Sequence, residues 1–163
     1  MKSKILPAPR TVKFGEGQLA VSTGVRLRFA CDVRSHETTA TVRFGDCDPA
    51  GVIFYPRAFE LAHAAVEEFL RAAIGGDAWF SSAVYAFPIR HAEADFLAPM
   101  KPGETFRVRV SVQKTGTTSM TFVAEFTDSA GLTAARVRTV QVAVDRASGK
   151  AASIPAEILS KLS

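Results

Sequence analysis

A single change of period constrains this chain more than any other feature. From Pro56 to Ala73, apolar side chains recur three or four residues apart, at Phe59, Ala62, Val66, Phe69, Leu70 and Ala73. That spacing predicts one long helix with a core-facing stripe. Pro56 suits a first turn, where its missing N–H costs nothing, and the Gly75-Gly76 pair stops the helix. After it the period falls to two. Glu104 to Lys114 and Thr118 to Thr127 alternate cleanly, Leu132 to Val144 is long and strand-like, and Val84 to Leu97 reads as a strand bent near Pro88. Before the helix, Thr38 to Phe44 is also β-prone. Lys114-Thr115-Gly116-Thr117 and Asp128-Ser129-Ala130-Gly131 have the make-up of hairpin connections. A strand, a long helix and a run of antiparallel strands predict an α+β fold, with the helix packed on one face of the sheet.

The ends of the chain do not share this order. Residues 1–18 are rich in Lys, Pro and Gly without a sustained period and read as a basic arm; Leu19 to Val33 contains an alternating piece, Val25 to Phe29, that suggests an extra strand. The expected organisation is an N-terminal extension over 1–37, a domain over 38–150, and a tail over 151–163 with a short helix from Pro155 to Leu162.

Charge separates the same parts. Residues 1–37 hold seven Lys/Arg against three acidic residues, which accounts for the whole net charge of +4, while residues 38–163 are neutral. The domain therefore carries no overall basic field, and no nucleic-acid partner is expected. No apolar run approaches the roughly 20 residues of a membrane span, and the basic start has no apolar stretch behind it, so neither a membrane nor a secretory role is expected. Two cysteines, Cys31 and Cys47, make no disulfide framework, which fits a cytoplasmic protein with free thiols.

Chemistry concentrates in Arg43-Phe44-Gly45-Asp46-Cys47-Asp48-Pro49-Ala50-Gly51-Val52-Ile53-Phe54-Tyr55-Pro56. It reads as a strand end, a loop with two carboxylates, and a helix start a few residues on. A helix start offers unpaired N–H groups and partial positive charge. A carboxylate near it provides a nucleophile or base beside an oxyanion site. Capping is the commoner fate of an Asp before a helix, and spacing alone leaves both roles open for Asp46 and Asp48.

The stretch GDCDPAGVIFYP and the long helix after it resemble the signature of 4-hydroxybenzoyl-CoA thioesterase-like hotdog proteins. Phe87 to Pro99, Lys101-Pro102-Gly103-Glu104 and Lys114 to Ser119 resemble the family's later strands and hairpin, in the right order, so that the likeness covers about residues 38–146. The resemblance implies a hotdog fold, in which a curved antiparallel sheet wraps the helix. It further implies homodimers or homotetramers with active sites at the dimer interface, and an acyl-CoA substrate. Asp48 falls on the family's catalytic carboxylate and the Tyr55 backbone N–H on its oxyanion donor, while Asp46 is left structural. Gly51, Val52, Phe54, Glu60, His63, Lys114 and Thr117 fall at the substrate. No cofactor is implied beyond the coenzyme A that the substrate carries.

One position departs from that pattern. Fifteen residues after the catalytic Asp, many relatives have a carboxylate on the helix facing the acyl pocket, and this chain has His63. Glu60, one turn earlier, is rotated to a neighbouring direction. His63 either reads the acyl end or is a partly buried residue bonded to a neighbour.

Other candidates are weaker. Cys31, Cys47, His36, His63 and His91 lack metal-ligand spacing, and no metal is expected. Cys47 has no evident base, and Ser81, Ser82 and Ser119 lack a G-x-S-x-G context. Arg26 and Arg28, Arg107 and Arg109, and Arg136 and Arg138 each place two guanidinium groups on one sheet face. Such a face is either solvated or, with Lys114, binds the phosphates of coenzyme A.

The expected function is hydrolysis of an aromatic or other bulky acyl-CoA by Asp48, without metal. The alternatives are a non-catalytic hotdog protein that binds acyl-CoA or acyl-carrier protein, and an assembly subunit acting through residues 1–37. For the substrate, a histidine is less suited than a carboxylate to demanding a para-hydroxyl. Wild-type kcat/KM should therefore not favour 4-hydroxybenzoyl-CoA over benzoyl- or phenylacetyl-CoA, and His63→Asp should shift preference toward the hydroxylated group. A strong 4-hydroxy preference that His63→Asp leaves unchanged would show that His63 does not read the acyl end.

Overall fold

The computed structural model describes residues 35–76 and 78–162. The basic arm and the extra strand expected within 1–33 lie outside the described residues. The helix is α1, Tyr55–Leu70, with Pro56 in its first turn. It buries Ala58, Ala62, Ala65, Val66, Phe69 and Leu70, while Phe59 and Ala73 of the expected stripe are half-buried against the same core. The alanines matter, because a small side chain lets the sheet backbone come close to the helix axis. Beyond Leu70 the backbone widens into a π turn, Arg71–Gly75, and the positive φ of Gly75 and Gly76 (+90° and +76°) ends it.

The sheet has five antiparallel strands in the order β1-β4-β5-β6-β3, with β1 at Ser35–Thr41, β3 at Ile89–Phe96, β4 at Thr105–Thr115, β5 at Ser119–Thr127 and β6 at Thr133–Val142. Helix α1 contacts β1, β4, β5 and β6. The inner face supplies Phe106, Val108, Val110 and Val112 from β4, Met120, Phe122 and Phe126 from β5, and Ala135 and Val137 from β6. Phe69 of the helix meets Phe122 edge-on at 6.2 Å. This is the expected α+β arrangement, and the alternation that predicts it places apolar residues on the helix side.

Three features differ from the expectation. Strand β1 begins at Ser35, three residues early, because Ser35–Glu37 pair with Arg109–Ser111 although no apolar pattern marks them. The long run from Leu132 is divided, since β6 stops at Val142 and Val144–Asp145 form β7, paired with β2 (Tyr85–Ala86) in a second small sheet. Between them, buried Ala143 donates its N–H to the Thr118 carbonyl (2.8 Å), and Val142 donates to Pro88 (3.1 Å). A short helix α2, Ala78–Ser81, was not expected; its Trp79 stacks on Phe87 with ring centroids 3.7 Å apart.

The terminal helix, α3 at Ala156–Leu162, is docked on the core. Ile154 and Leu162 are buried, Ile158 and Leu159 pack against the core, and Lys161 Nζ donates to the Ile74 carbonyl of the π turn (2.8 Å). Removing the Leu162 side chain should leave a partly collapsed cavity. Leu162→Ala should cost about 2–4 kcal/mol in denaturant unfolding, and an unchanged midpoint would mean that α3 adds nothing to the core.

Candidate active site

Strand β1 ends where buried Val42 exchanges backbone bonds with Glu104 (2.9 Å) and Gly103 (2.8 Å). One tight helical turn, Phe44–Asp46, follows, and the chain then folds back on itself. Phe54 N–H donates to the Asp46 carbonyl (2.8 Å), Cys47 bridges to Ile53, and Asp48 N–H donates to the Val52 carbonyl (2.9 Å). The motif is thus a small hairpin with Asp48 beside its tip. Gly51 closes that tip with φ +77°, which disfavours any side chain there, and donates to the Asp48 carbonyl (2.9 Å). Ile53 N–H donates to Met100 (2.8 Å) and ties the hairpin to the segment after β3.

The two carboxylates are used differently. Asp46 is committed: Oδ2 accepts the Arg43 N–H (2.8 Å) and Oδ1 lies 3.8 Å from Arg57 Nε. Asp48 is half-buried, and its Oδ1 accepts the Ala50 N–H (2.8 Å). Its other oxygen has no hydrogen-bond partner among the described residues. One uncommitted carboxylate oxygen is what a base or nucleophile requires. Cys47, between them, donates its thiol to the Arg43 carbonyl (3.7 Å). Burial first, and then the negative charges of Asp46 and Asp48, push its pKa up. The thiol therefore stays protonated near neutral pH and is a poor nucleophile.

The hairpin delivers the chain directly into α1. Phe54, at the N-cap, offers no side-chain cap, Pro56 has no N–H, and Arg57 N–H is taken by the Phe54 carbonyl (2.8 Å). The Tyr55 N–H has no acceptor among the described residues. An open N–H at the positive end of a 16-residue helix suits a developing negative oxygen. Beside it lies a groove of about 330 Å³, lined by Val52, Ile53 and Tyr55 and by the run Phe96, Leu97, Ala98, Pro99 and Met100. The Phe54 ring meets Tyr55 edge-on at 5.1 Å.

The remaining expected residues lie elsewhere within the chain. Glu60 bonds Arg57 (Oε2 to Nη1, 2.5 Å) and lines a separate groove between α1 and β1. Its hydrogen bond and charge, followed by the charge of Asp46, raise the Arg57 pKa, so the guanidinium stays charged. His63 is half-exposed, with Nε2 3.3 Å from Glu67, which in turn lies 3.7 Å from Arg71. Neither Glu60 nor His63 lines the apolar groove. Lys114 and Thr117 are at the far end of β4, an 11-residue strand that spans roughly 30 Å. They share no site with Asp48 inside one subunit.

The sheet's outer face answers the question of the arginine stripes in part. Arg136 donates through Nε and Nη2 to Glu125 Oε1 (2.9 and 2.7 Å), and Arg138 pairs with Glu93, which also meets His91 (3.1 Å). The His91 and Arg138 hydrogen bonds hold the Glu93 carboxyl below its ordinary pKa. Phe96 to Met100 and Arg57 escape the sequence reading as site residues. The signal for the first was an uninterrupted apolar run after a polar strand; for Arg57 nothing distinguishes it from any exposed helix arginine.

Comparison with known proteins gives the family and the fold. Residues 42–162 match the thioesterase-like superfamily. A 1,4-dihydroxy-2-naphthoyl-CoA hydrolase from Nostoc punctiforme is 36% identical over 123 residues, 75% of this chain and 82% of that protein. The fold matches a 1,4-dihydroxy-2-naphthoyl-CoA thioesterase from Synechocystis with a TM-score of 0.71 at 21% identity, covering 79% of this chain and 96% of the other. It also matches a 4-hydroxybenzoyl-CoA thioesterase mutant complexed with 4-hydroxybenzoyl-CoA, with a TM-score of 0.70 at 20% identity, covering 80% and 99%. These two likenesses establish the hotdog fold. The chain belongs to the thioesterase-like superfamily, as a hotdog-fold enzyme of the acyl-CoA thioesterase class.

Proposed function

We propose that this protein hydrolyses an aromatic acyl-CoA thioester, with Asp48 as nucleophile or general base and the Tyr55 N–H as oxyanion donor. The observation that carries the reading is one piece of backbone. The hairpin holds a carboxylate with an uncommitted oxygen and ends on an open helix N–H beside an apolar groove. As a base, Asp48 takes a proton from the water that attacks the thioester carbonyl and returns it to the departing coenzyme A sulfur. As a nucleophile, it forms a mixed anhydride as the C–S bond breaks, the thiolate takes a proton from solvent, and water then splits the anhydride to release the acid and Asp48. In either route the carbonyl oxygen becomes negative within reach of the Tyr55 N–H. A preorganised donor of this kind contributes about 10²–10³ in rate. A groove of about 330 Å³ is within the range of small-molecule sites and takes a one- or two-ring acyl group. The Nostoc relative's substrate is a hydroxylated two-ring acyl-CoA, which supports the aromatic class.

The second part of the reading is a shared site. Strand β3 is an edge of the sheet, and Ile89, Phe96 and Leu97 along it are 43%, 45% and 61% exposed. An open edge with apolar side chains favours strand pairing with a second copy. Antiparallel pairing would carry the partner's β4–β5 hairpin, with its Lys114 and Thr117, toward the end that holds Asp48. Those two residues would then meet the coenzyme A phosphates. In this reading the enzyme is a homodimer, or a tetramer of two such dimers, that works in the cytoplasm on a coenzyme A thioester rather than on acyl-carrier protein.

Asp48→Asn should lower hydrolysis of an aromatic acyl-CoA by at least about a hundredfold while the fold persists. Wild-type-like activity in Asp48→Asn beside an inactive Asp46→Asn would assign the chemistry to the other carboxylate. Sedimentation should give a dimer or tetramer, and a stable, active monomer is incompatible with a shared site.

A further inference from the structure

Asp46 has no role in the chemistry above, yet more converges on it than on any other residue of the hairpin. Its carboxylate holds the Arg43 N–H at the hairpin's entry, and its carbonyl holds the Phe54 N–H at the exit (both 2.8 Å). Its second carboxylate oxygen faces Arg57, which stands in the first turn of α1, two residues after Tyr55. Arg57 is held from its other side by Glu60, one turn on, at 2.5 Å. A chain of charges thus runs from the loop that carries Asp48 to the helix that carries the Tyr55 N–H.

We propose that Asp46, Arg57 and Glu60 form a positioning relay that sets the reach between the Asp48 carboxylate and the Tyr55 N–H. The inference rests on the roles assigned to those two groups. Backbone bonds close the hairpin and tie Ile53 to Met100, while the Asp46–Arg57 pair adds a side-chain tie from the hairpin to the first turn of α1 across Phe54. Glu60 removes the alternative in which the long Arg57 side chain swings into solvent. The three residues touch no substrate. Their effect is to keep base and oxyanion donor in register while the carbonyl carbon becomes tetrahedral, a step sensitive to displacements of an ångström.

The distinguishing readout is a split between kcat and KM. With benzoyl-CoA or another aromatic thioester that the wild type turns over, Arg57→Met should lower kcat about tenfold, with KM within about twofold. Arg57→Lys, which keeps the charge but loses the fork, should fall between the two. Asp46→Asn retains an acceptor for the Arg43 N–H but loses the charge that faces Arg57. It should match Arg57→Met, and the double variant should be no worse than either single one, because the two act through one contact. Separately from turnover, amide exchange at Asp48, Gly51 and Phe54, the donors that close the hairpin, should quicken about tenfold in Arg57→Met, as local opening becomes easier. Unchanged kcat, a rise in KM in its place, losses that multiply in the double variant, or unchanged exchange would each overturn the relay. A wild type that hydrolyses none of the thioesters, while Arg57→Met still loosens the hairpin, sinks the hydrolytic reading and leaves the relay standing as a structural coupling.

Discussion

The site depends on how the chain enters its one long helix. The first turn of any helix leaves N–H groups without intrahelical partners, and most helices cover one with a side-chain cap. Here the N-cap is Phe54, which cannot cap, and the next two positions are a tyrosine and a proline. With Arg57 N–H taken by Phe54, the Tyr55 N–H beside the apolar groove has no acceptor among the described residues. The missing cap costs about 1 kcal/mol of helix stability. Packing of the alanine-rich face against the sheet offsets that cost, so the helix keeps its uncapped start.

The hairpin leads into that helix start and carries two carboxylates, which it commits unequally. Asp48 spends one oxygen on Ala50 and keeps the other, while Asp46, two residues earlier, satisfies Arg43 and faces Arg57. The two carboxylates differ in commitment rather than in chemistry. The positive charges nearby are directed to Asp46 and Glu60, and Arg136 and Arg138 on the sheet's outer face are directed to Glu125 and Glu93. Arg107 and Arg109 form no ion pair with an acidic side chain among the described residues. The cations best placed for substrate phosphates are therefore fewer than the stripes suggest.

Much of this is legible in the sequence, for physical reasons that can be named. Helix α1 and strands β4 and β5 are long, one-sided elements, and burial of one face writes a period into them. The segment before the helix is legible as a loop but not as the hairpin it forms, and the choice of Asp48 over Asp46 comes from the resemblance to a known family, since spacing alone leaves both open. Other features carry no local signal. The period of two runs unbroken through Ala143, so the division of β6 from β7 depends on Pro88 and Thr118, distant in sequence. Ser35 to Glu37 are polar on both faces and become strand only because β4 offers them a partner. The rotation of Glu60 toward Arg57 and of His63 toward Glu67 is decided by side-chain partners on the helix surface, which periodicity does not reveal.

Thiol release from a panel of coenzyme A thioesters decides whether the hairpin and the helix start form a hydrolytic site. The panel should include benzoyl-, 1,4-dihydroxy-2-naphthoyl- and acetyl-CoA, each followed with a thiol-detecting reagent against a protein-free control. A helix N–H beside an apolar groove, with an uncommitted carboxylate oxygen on the hairpin that helps to line it, predicts steady turnover of at least one aromatic thioester, with acetyl-CoA, too small to fill the groove, hydrolysed far more slowly. Release no faster than the control across the aromatic thioesters, from protein shown to be folded, would contradict it.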